Sequence, residues 1–132
     1  MIEPVRSADG ALIEAWRIAV AEVRTRRGGT RYLDEVLGDV EPDAGLLAVT
    51  SAGTLWRDDA DSFIVVRERV ILGLYVAPAN RRRGRGRTLV DFARAETPRA
   101  RDALALPGDR ATKSLYESVG WKARLLTLGD ES

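Results

Sequence analysis

The sequence predicts an α/β or α+β fold with a mixed sheet, built as one domain over residues 1–132. Three observations carry this. Helical segments alternate with strand-like segments along the chain. One run, Val70-Ile71-Leu72-Gly73-Leu74-Tyr75-Val76, is apolar almost throughout, the signature of a strand covered on both faces. The chain has 132 residues, 45% of them hydrophobic, enough for one real core and too few for two.

Taken in order, residues 2–6 read as a short first strand that Pro4 confines to an edge. Ser7 and Asp9 are of the residue types that cap helices. Over residues 11–26, Leu12, Ile13, Trp16, Ile18, Ala19 and Val23 recur at helical spacing, and Gly28-Gly29 ends that helix. A second, short helix follows at 32–37, then a turn at Glu41-Pro42-Asp43. A strand at 46–49 turns at Ser51-Ala52-Gly53 and resumes at Thr54-Leu55-Trp56, and the polar stretch 57–61 reads as a loop. Strands at 63–66 and 70–76 flank a tight turn at Arg67-Glu68-Arg69. Pro78 stops the second of these. Leu89, Val90, Phe92 and Ala93 mark a helix over 88–96, limited by Pro98. A strand at 103–106 ends at Pro107-Gly108, a helix at 111–119 has Gly120 just past its end, and 121–128 reads as a final strand.

Composition removes whole classes of chemistry. There is no cysteine and no histidine. Thiolate nucleophiles, cysteine metal sites, the usual imidazole ligand and the serine–histidine triads are therefore excluded, and no metal is expected. Catalysis must use Tyr, Asp, Glu, Lys, Ser, Thr, backbone groups or water. The formal charge of +1 argues against a surface that is one nucleic-acid footprint. No apolar run approaches the roughly 20 residues of a membrane span, and the start carries no signal-peptide pattern, so a cytoplasmic protein is expected.

The chemistry concentrates between strand 70–76 and helix 88–96, in Asn80-Arg81-Arg82-Arg83-Gly84-Arg85-Gly86-Arg87. A helix start offers backbone N–H groups without intrahelical partners, and its dipole adds positive charge, which together bind phosphate. Gly84 and Gly86 let the backbone approach a ligand closely. The arginines at 81, 82, 83, 85 and 87 can neutralise a polyanion. On the loop alone, an Arg-Gly contact to nucleic acid stands beside the phosphate cradle. A P-loop and a dinucleotide fingerprint do not fit: the Gly-Lys-Ser/Thr ending is missing, and Leu89 stands where the third glycine belongs.

Residues 76–90, with Arg81-x-x-Gly84-x-Gly86 at their centre, closely resemble the acetyl-CoA loop of the GNAT superfamily of N-acyltransferases. Leu115-Tyr116-Glu117-Ser118-Val119-Gly120-Trp121 is similar to the family's second signature, and the two stand in the family's order with one strand between them. Together they cover about residues 70–121. The resemblance implies a single GNAT-like domain with a mixed, mostly antiparallel central sheet flanked by helices. It implies an enzyme that moves an acetyl or short acyl group from acetyl-CoA to an amine. Backbone groups of residues 82–87 would hold the pyrophosphate, with Thr88 as a hydroxyl donor. Leu74 and Val76 would offer main-chain groups to the pantetheine arm, with an amide near Val76 polarising the acetyl carbonyl. Tyr116 matches the tyrosine that protonates the departing thiolate; its side reading is helix packing.

The base that takes the amine's proton is expected among Glu68, Asp58, Asp59 and Asp61, and the acidic loop can also attract a cationic amine. Asp109 stands where the family often has an asparagine on the pantetheine region, and an ionised carboxylate cannot donate that hydrogen bond. The expected partners are acetyl-CoA and an amine acceptor, without nucleic acid or membrane. One final strand where many relatives have two leaves an edge on which a second copy can pair. The alternatives are an acyl-CoA sensor without catalysis and, behind it, an Arg-Gly nucleic-acid binder.

Overall fold

The computed structural model describes residues 1–6, 9–38, 40, 53–59, 61–96 and 100–130. The expected strand at 46–49, the turns at 41–43 and Ser51-Ala52, the Ser7 cap and the Pro98 stop lie outside them. Five strands form one sheet in chain order: β1 (Ile2–Pro4), β2 (Thr54–Asp58), β3 (Ser62–Arg67), β4 (Val70–Tyr75) and β5 (Asp102–Ala103). β1 to β4 are antiparallel neighbours, and β5 runs parallel to β4. The sheet is therefore mixed and mostly antiparallel, as expected. Pro4 sits on the edge strand, where its missing N–H does no harm.

Helices cover both faces. α1 (Gly10–Arg24) and α2 (Gly29–Tyr32), which runs on as a π turn over Leu33–Leu37, pack on one side. α3 (Arg85–Glu96) and α4 (Arg110–Ser118) pack on the other. β3 shows why the sheet needs both layers. Phe63 and Val65 point into the α1–α2 core, and Ile64 and Val66 into the α3–α4 core, so all four central residues of a period-two strand are apolar. Leu12 and Leu33 on one side and Leu89 and Val90 on the other are at most 1% exposed. Asp9 caps α1 by accepting from the Leu12 N–H at 2.9 Å, as its position predicts. Among the described residues, no helix is long and apolar enough to cross a membrane.

Several boundaries differ from the sequence reading; the first strand ends at Pro4 rather than 6, and the second helix starts at Gly29 rather than 32. Arg57 and Asp58 are not loop but the end of β2, because each pairs with both β1 and β3. α3 begins at Arg85 rather than 88, so Arg85, Gly86 and Arg87, the end of the Arg-Gly stretch, are already helix. β5 is two residues long, with the Leu104 N–H still donating to the Ile71 carbonyl, and the chain turns three residues later through the Asp109 N–H to Leu106 carbonyl bond of 2.9 Å. Residues 121–130 form no strand, and Leu125, Leu126 and Leu128 are exposed. Apolar character alone does not make a strand where no neighbouring strand supplies a ladder.

Candidate functional site

Between β4 and α3 the chain makes a 3-10 turn at Pro78–Asn80 and then a bend in which Arg82 and Gly84 take left-handed φ values of 66° and 79°. At Gly84 a side chain would meet no atom within 4 Å, so glycine is there for its backbone and not for room. The bend closes when the Thr88 N–H donates to the Gly84 carbonyl at 3.0 Å. The N–H groups of Arg85, Gly86 and Arg87 thus form the first turn of α3, with no intrahelical carbonyl to donate to. The Thr88 hydroxyl, expected to donate to a ligand, donates instead to the Gly84 carbonyl at 3.0 Å.

The five arginines divide into two kinds. Arg81 donates to the Val76 carbonyl at 2.8 Å and to both oxygens of Glu22 at 3.0 and 3.1 Å, and lies over the Tyr75 ring. Arg85 pairs with Asp59, with Asp58 at 3.9 Å. The Arg85 guanidinium holds the Asp59 carboxyl below its usual value. Asn80 adds a third tie, donating to Asp61 at 3.1 Å. Arg81 and Arg85 were expected on the ligand's phosphates; their guanidinium groups instead fasten the bend to α1 and to the β2–β3 turn. Arg82, Arg83 and Arg87 are exposed and make no ion pair among the described residues.

Beneath the first turn of α3, β4 loses its outer neighbour. β5 pairs with it at Val70 and Ile71, and the Leu104 N–H still reaches the Ile71 carbonyl at 3.0 Å. Past that point the β5-side edge of β4 has no ladder among the described residues. Leu74 and Val76 pack into the α3–α4 core in this opening. Gly86 lies over them so closely that a Cβ there would come within 2.9 Å of Leu115, 3.6 Å of Val76 and 3.7 Å of Leu74. Leu74, Val76, the bend and α4 are therefore brought together.

Tyr116 stands in the same core, 5% exposed and stacked on Trp121 at 5.7 Å. Its hydroxyl is fully buried and has no hydrogen-bond partner among the described residues. An orphaned buried hydroxyl costs about 1–3 kcal/mol, and such groups call for an explanation. Burial, reinforced by Tyr32 and Asp109, pushes its pKa up, so the phenol is protonated at neutral pH.

Glu68 does not join this site. It is exposed, at φ 53° in the β3–β4 turn, at the opposite end of β4 from Val76. At about 3.3 Å per residue the six steps from Val70 to Val76 put roughly 20 Å between that turn and Val76. Asp58, Asp59 and Asp61 do lie at the bend, but as its anchors. Asp109 caps α4 by accepting from the Thr112 N–H at 3.2 Å and pairs with Arg26 at 3.0 Å, which gives its carboxylate a role no ligand is needed for.

Sequence reasoning missed Tyr32. Its hydroxyl donates to the Leu72 carbonyl in mid-β4, and burial pushes its pKa up. It lies 84 positions from Tyr116 (116 − 32), and only the fold brings the two near each other. An open depression lined by Asp91, Arg94, Arg101 and Trp121 lies along the C-terminal half of α3, away from the bend. Among the described residues no cluster of acidic groups is arranged to hold a metal ion.

The residues present suit a diphosphate with an extended thioester arm. Among the described residues, a helix start with free N–H groups is flanked by cations without an ion pair, and a strand edge without a ladder leads to a buried hydroxyl without a partner.

Residues 42–123 match the family model described as an acetyltransferase (GNAT) domain. A solved structure, AAC(6')-Iy in complex with the bisubstrate analog CoA-S-monomethyl-acetylneamine, is similar over 100% of this chain and 99% of that one, at 12% identity and a TM-score of 0.48. Among curated proteins no sequence matches.

Proposed function

The chain belongs to the GNAT acetyltransferase family, whose model spans residues 42–123, and from that premise we propose that it is an N-acetyltransferase carrying an acetyl group from acetyl-CoA to a primary amine. The N–H groups of Arg85, Gly86 and Arg87 hold the diphosphate, and Arg82, Arg83 and Arg87 offset its charge. The pantetheine arm takes the place that β5 leaves free along Leu74 and Val76. Arg81 occupies the Val76 carbonyl, so the Val76 N–H is the group left for the acetyl oxygen, in an oxyanion role.

The acceptor nitrogen attacks the thioester carbonyl directly, because no cysteine exists to carry the acyl group. As the tetrahedral adduct collapses, the C–S bond breaks and the electron pair stays on sulfur. The Tyr116 hydroxyl gives the thiolate its proton and is reprotonated from solvent. The amine attacks in its neutral form, the proton on the nitrogen of the tetrahedral adduct leaves to water, and no carboxylate is assigned to it now that Glu68 is remote. The observation that carries this reading is the Tyr116 hydroxyl, buried without a partner in one core with Leu74 and Val76.

Thermal unfolding with acetyl-CoA, desulfo-CoA or an oligonucleotide tests it, since a ligand of the folded state raises the midpoint. We expect both CoA compounds to stabilise the protein and the oligonucleotide to leave it unchanged. Stabilisation by oligonucleotide alone overturns the reading.

A further inference from the structure

β4 changes face halfway along its length. Ile71 belongs to the α3–α4 core and Leu72 to the α1–α2 core, yet Leu74 packs on the α3–α4 side and Tyr75 on the other. Strict alternation puts Leu74 on the face of Leu72. The reversal is a bulge. Val65 pairs with Gly73 and Val66 with Ile71, so Leu72 is an extra residue without a partner in the register. A bulge re-aims the strand beyond it, and the residues beyond this one are 73–76, where the thioester arm is placed above.

Two features hold the bulge. The Tyr32 hydroxyl on α2 donates to the Leu72 carbonyl. Gly73, the next residue, has no Cβ; one placed there would lie 3.1 Å from the same hydroxyl. Glycine weakens a strand interior, and here it leaves room for the phenol that satisfies the displaced carbonyl. Leu74 and Val76, just past the bulge, pack in the core of Tyr116 on the other face, so this lock lies directly before the site.

We propose that Tyr32 is a positioning residue for acyl transfer: seated over Gly73 and donating to Leu72, it fixes the bulge that aims the backbone of residues 73–76 at the thioester. This inference rests on the acetyltransferase reading above. It is tested with Tyr32→Phe and Gly73→Ala, using acetyl-CoA labelled with carbon-13 at the carbonyl. Three quantities are read on each protein: acetyl-CoA affinity by calorimetry, the thermal midpoint, and the displacement of the carbonyl resonance on binding, which reports its polarisation.

Wild type is expected to bind acetyl-CoA and displace the resonance. Tyr32→Phe is expected to keep the affinity and the cooperative transition and to lose most of the displacement. Gly73→Ala, which pushes the phenol aside, is expected to do the same. A Tyr32→Phe protein with the full wild-type displacement overturns the inference. So does one in which affinity and displacement fall together, in proportion to lost folded protein. Absence of acetyl-CoA binding by wild type is a different failure, that of the acetyltransferase reading itself.

Discussion

The two ends of β4 are made of the same kind of residue and have opposite surroundings. Val70 and Ile71 are paired on both sides, with β3 and with β5. Leu74 and Val76, a few residues on, have β3 or nothing on their two sides and face Gly86, Leu115 and the core of Tyr116. The first end holds the sheet together. The second is an unfilled ladder position under a helix start, and that is where a ligand can add its own hydrogen bonds. The lesson is that apolar sequence specifies burial, whereas the proposed site is set by where the pairing stops.

If that contrast is right, substitutions at the two ends separate stability from chemistry. The largest effect is expected at the open end. Tyr116→Phe should lower acetyl transfer by about a hundredfold to ten-thousandfold, measured as release of free CoA with a panel of primary amines. Its thermal midpoint should rise, because a hydroxyl buried without a partner is removed. A mutant with normal turnover makes Tyr116 a packing residue. The same burial gives a pH signature. The folded pKa values of Tyr116 and Tyr32 lie above the ordinary 10.0, so the protonated form is favoured by folding. That contribution is complete below pH 10.0 and is lost as pH rises beyond it. Denaturant titrations should therefore show stability falling above that pH, and less steeply in Tyr116→Phe.

At the paired end, Ile71→Ala should cost about 2–5 kcal/mol in denaturant unfolding, since Ile71 is 0% exposed. The acetyl-CoA affinity of the protein that remains folded should not change. A smaller loss, about 1 kcal/mol, is expected from Gly84→Ala, which forces a Cβ into a φ of 79°; here calorimetry should show weakened acetyl-CoA binding as well. The smallest effect belongs to Arg83→Ala. It should lower acetyl-CoA affinity roughly threefold, more at low salt, with the midpoint unchanged, as an exposed charge does. Arg81→Ala sharpens this contrast, because Arg81 ties Val76 to Glu22 and its loss should lower the midpoint too.

Much of this was legible in the chain itself, for identifiable reasons. α1 follows from the spacing of Leu12, Trp16 and Ala19, and its start from Asp9. The bend follows from Gly84 and Gly86 between a strand and a helix. The bulge was not legible, because a strand that is apolar on both faces gives no alternation whose reversal can be read. Nor does a run of arginines reveal which of its members point inward: Arg81 and Arg85 are set apart from Arg83 only by Glu22 and Asp59, distant in sequence. Glu68 was misplaced because closeness along the chain to β4 says nothing about which end of the strand matters. Residues 121–128 carry the composition of a strand, but a strand exists only where another edge pairs with it.

The central claim is that acetyl-CoA occupies the bend and the open end of β4. Amide chemical-shift mapping of the nitrogen-15-labelled protein during titration with acetyl-CoA tests it most directly. The account predicts the largest displacements at Val76, Arg85, Gly86 and Arg87, with Glu68, Val70 and Ile71 unmoved. Displacements centred on Glu68 and Val70, or on Arg94, Arg101 and Trp121, with the first turn of α3 unmoved, would contradict it.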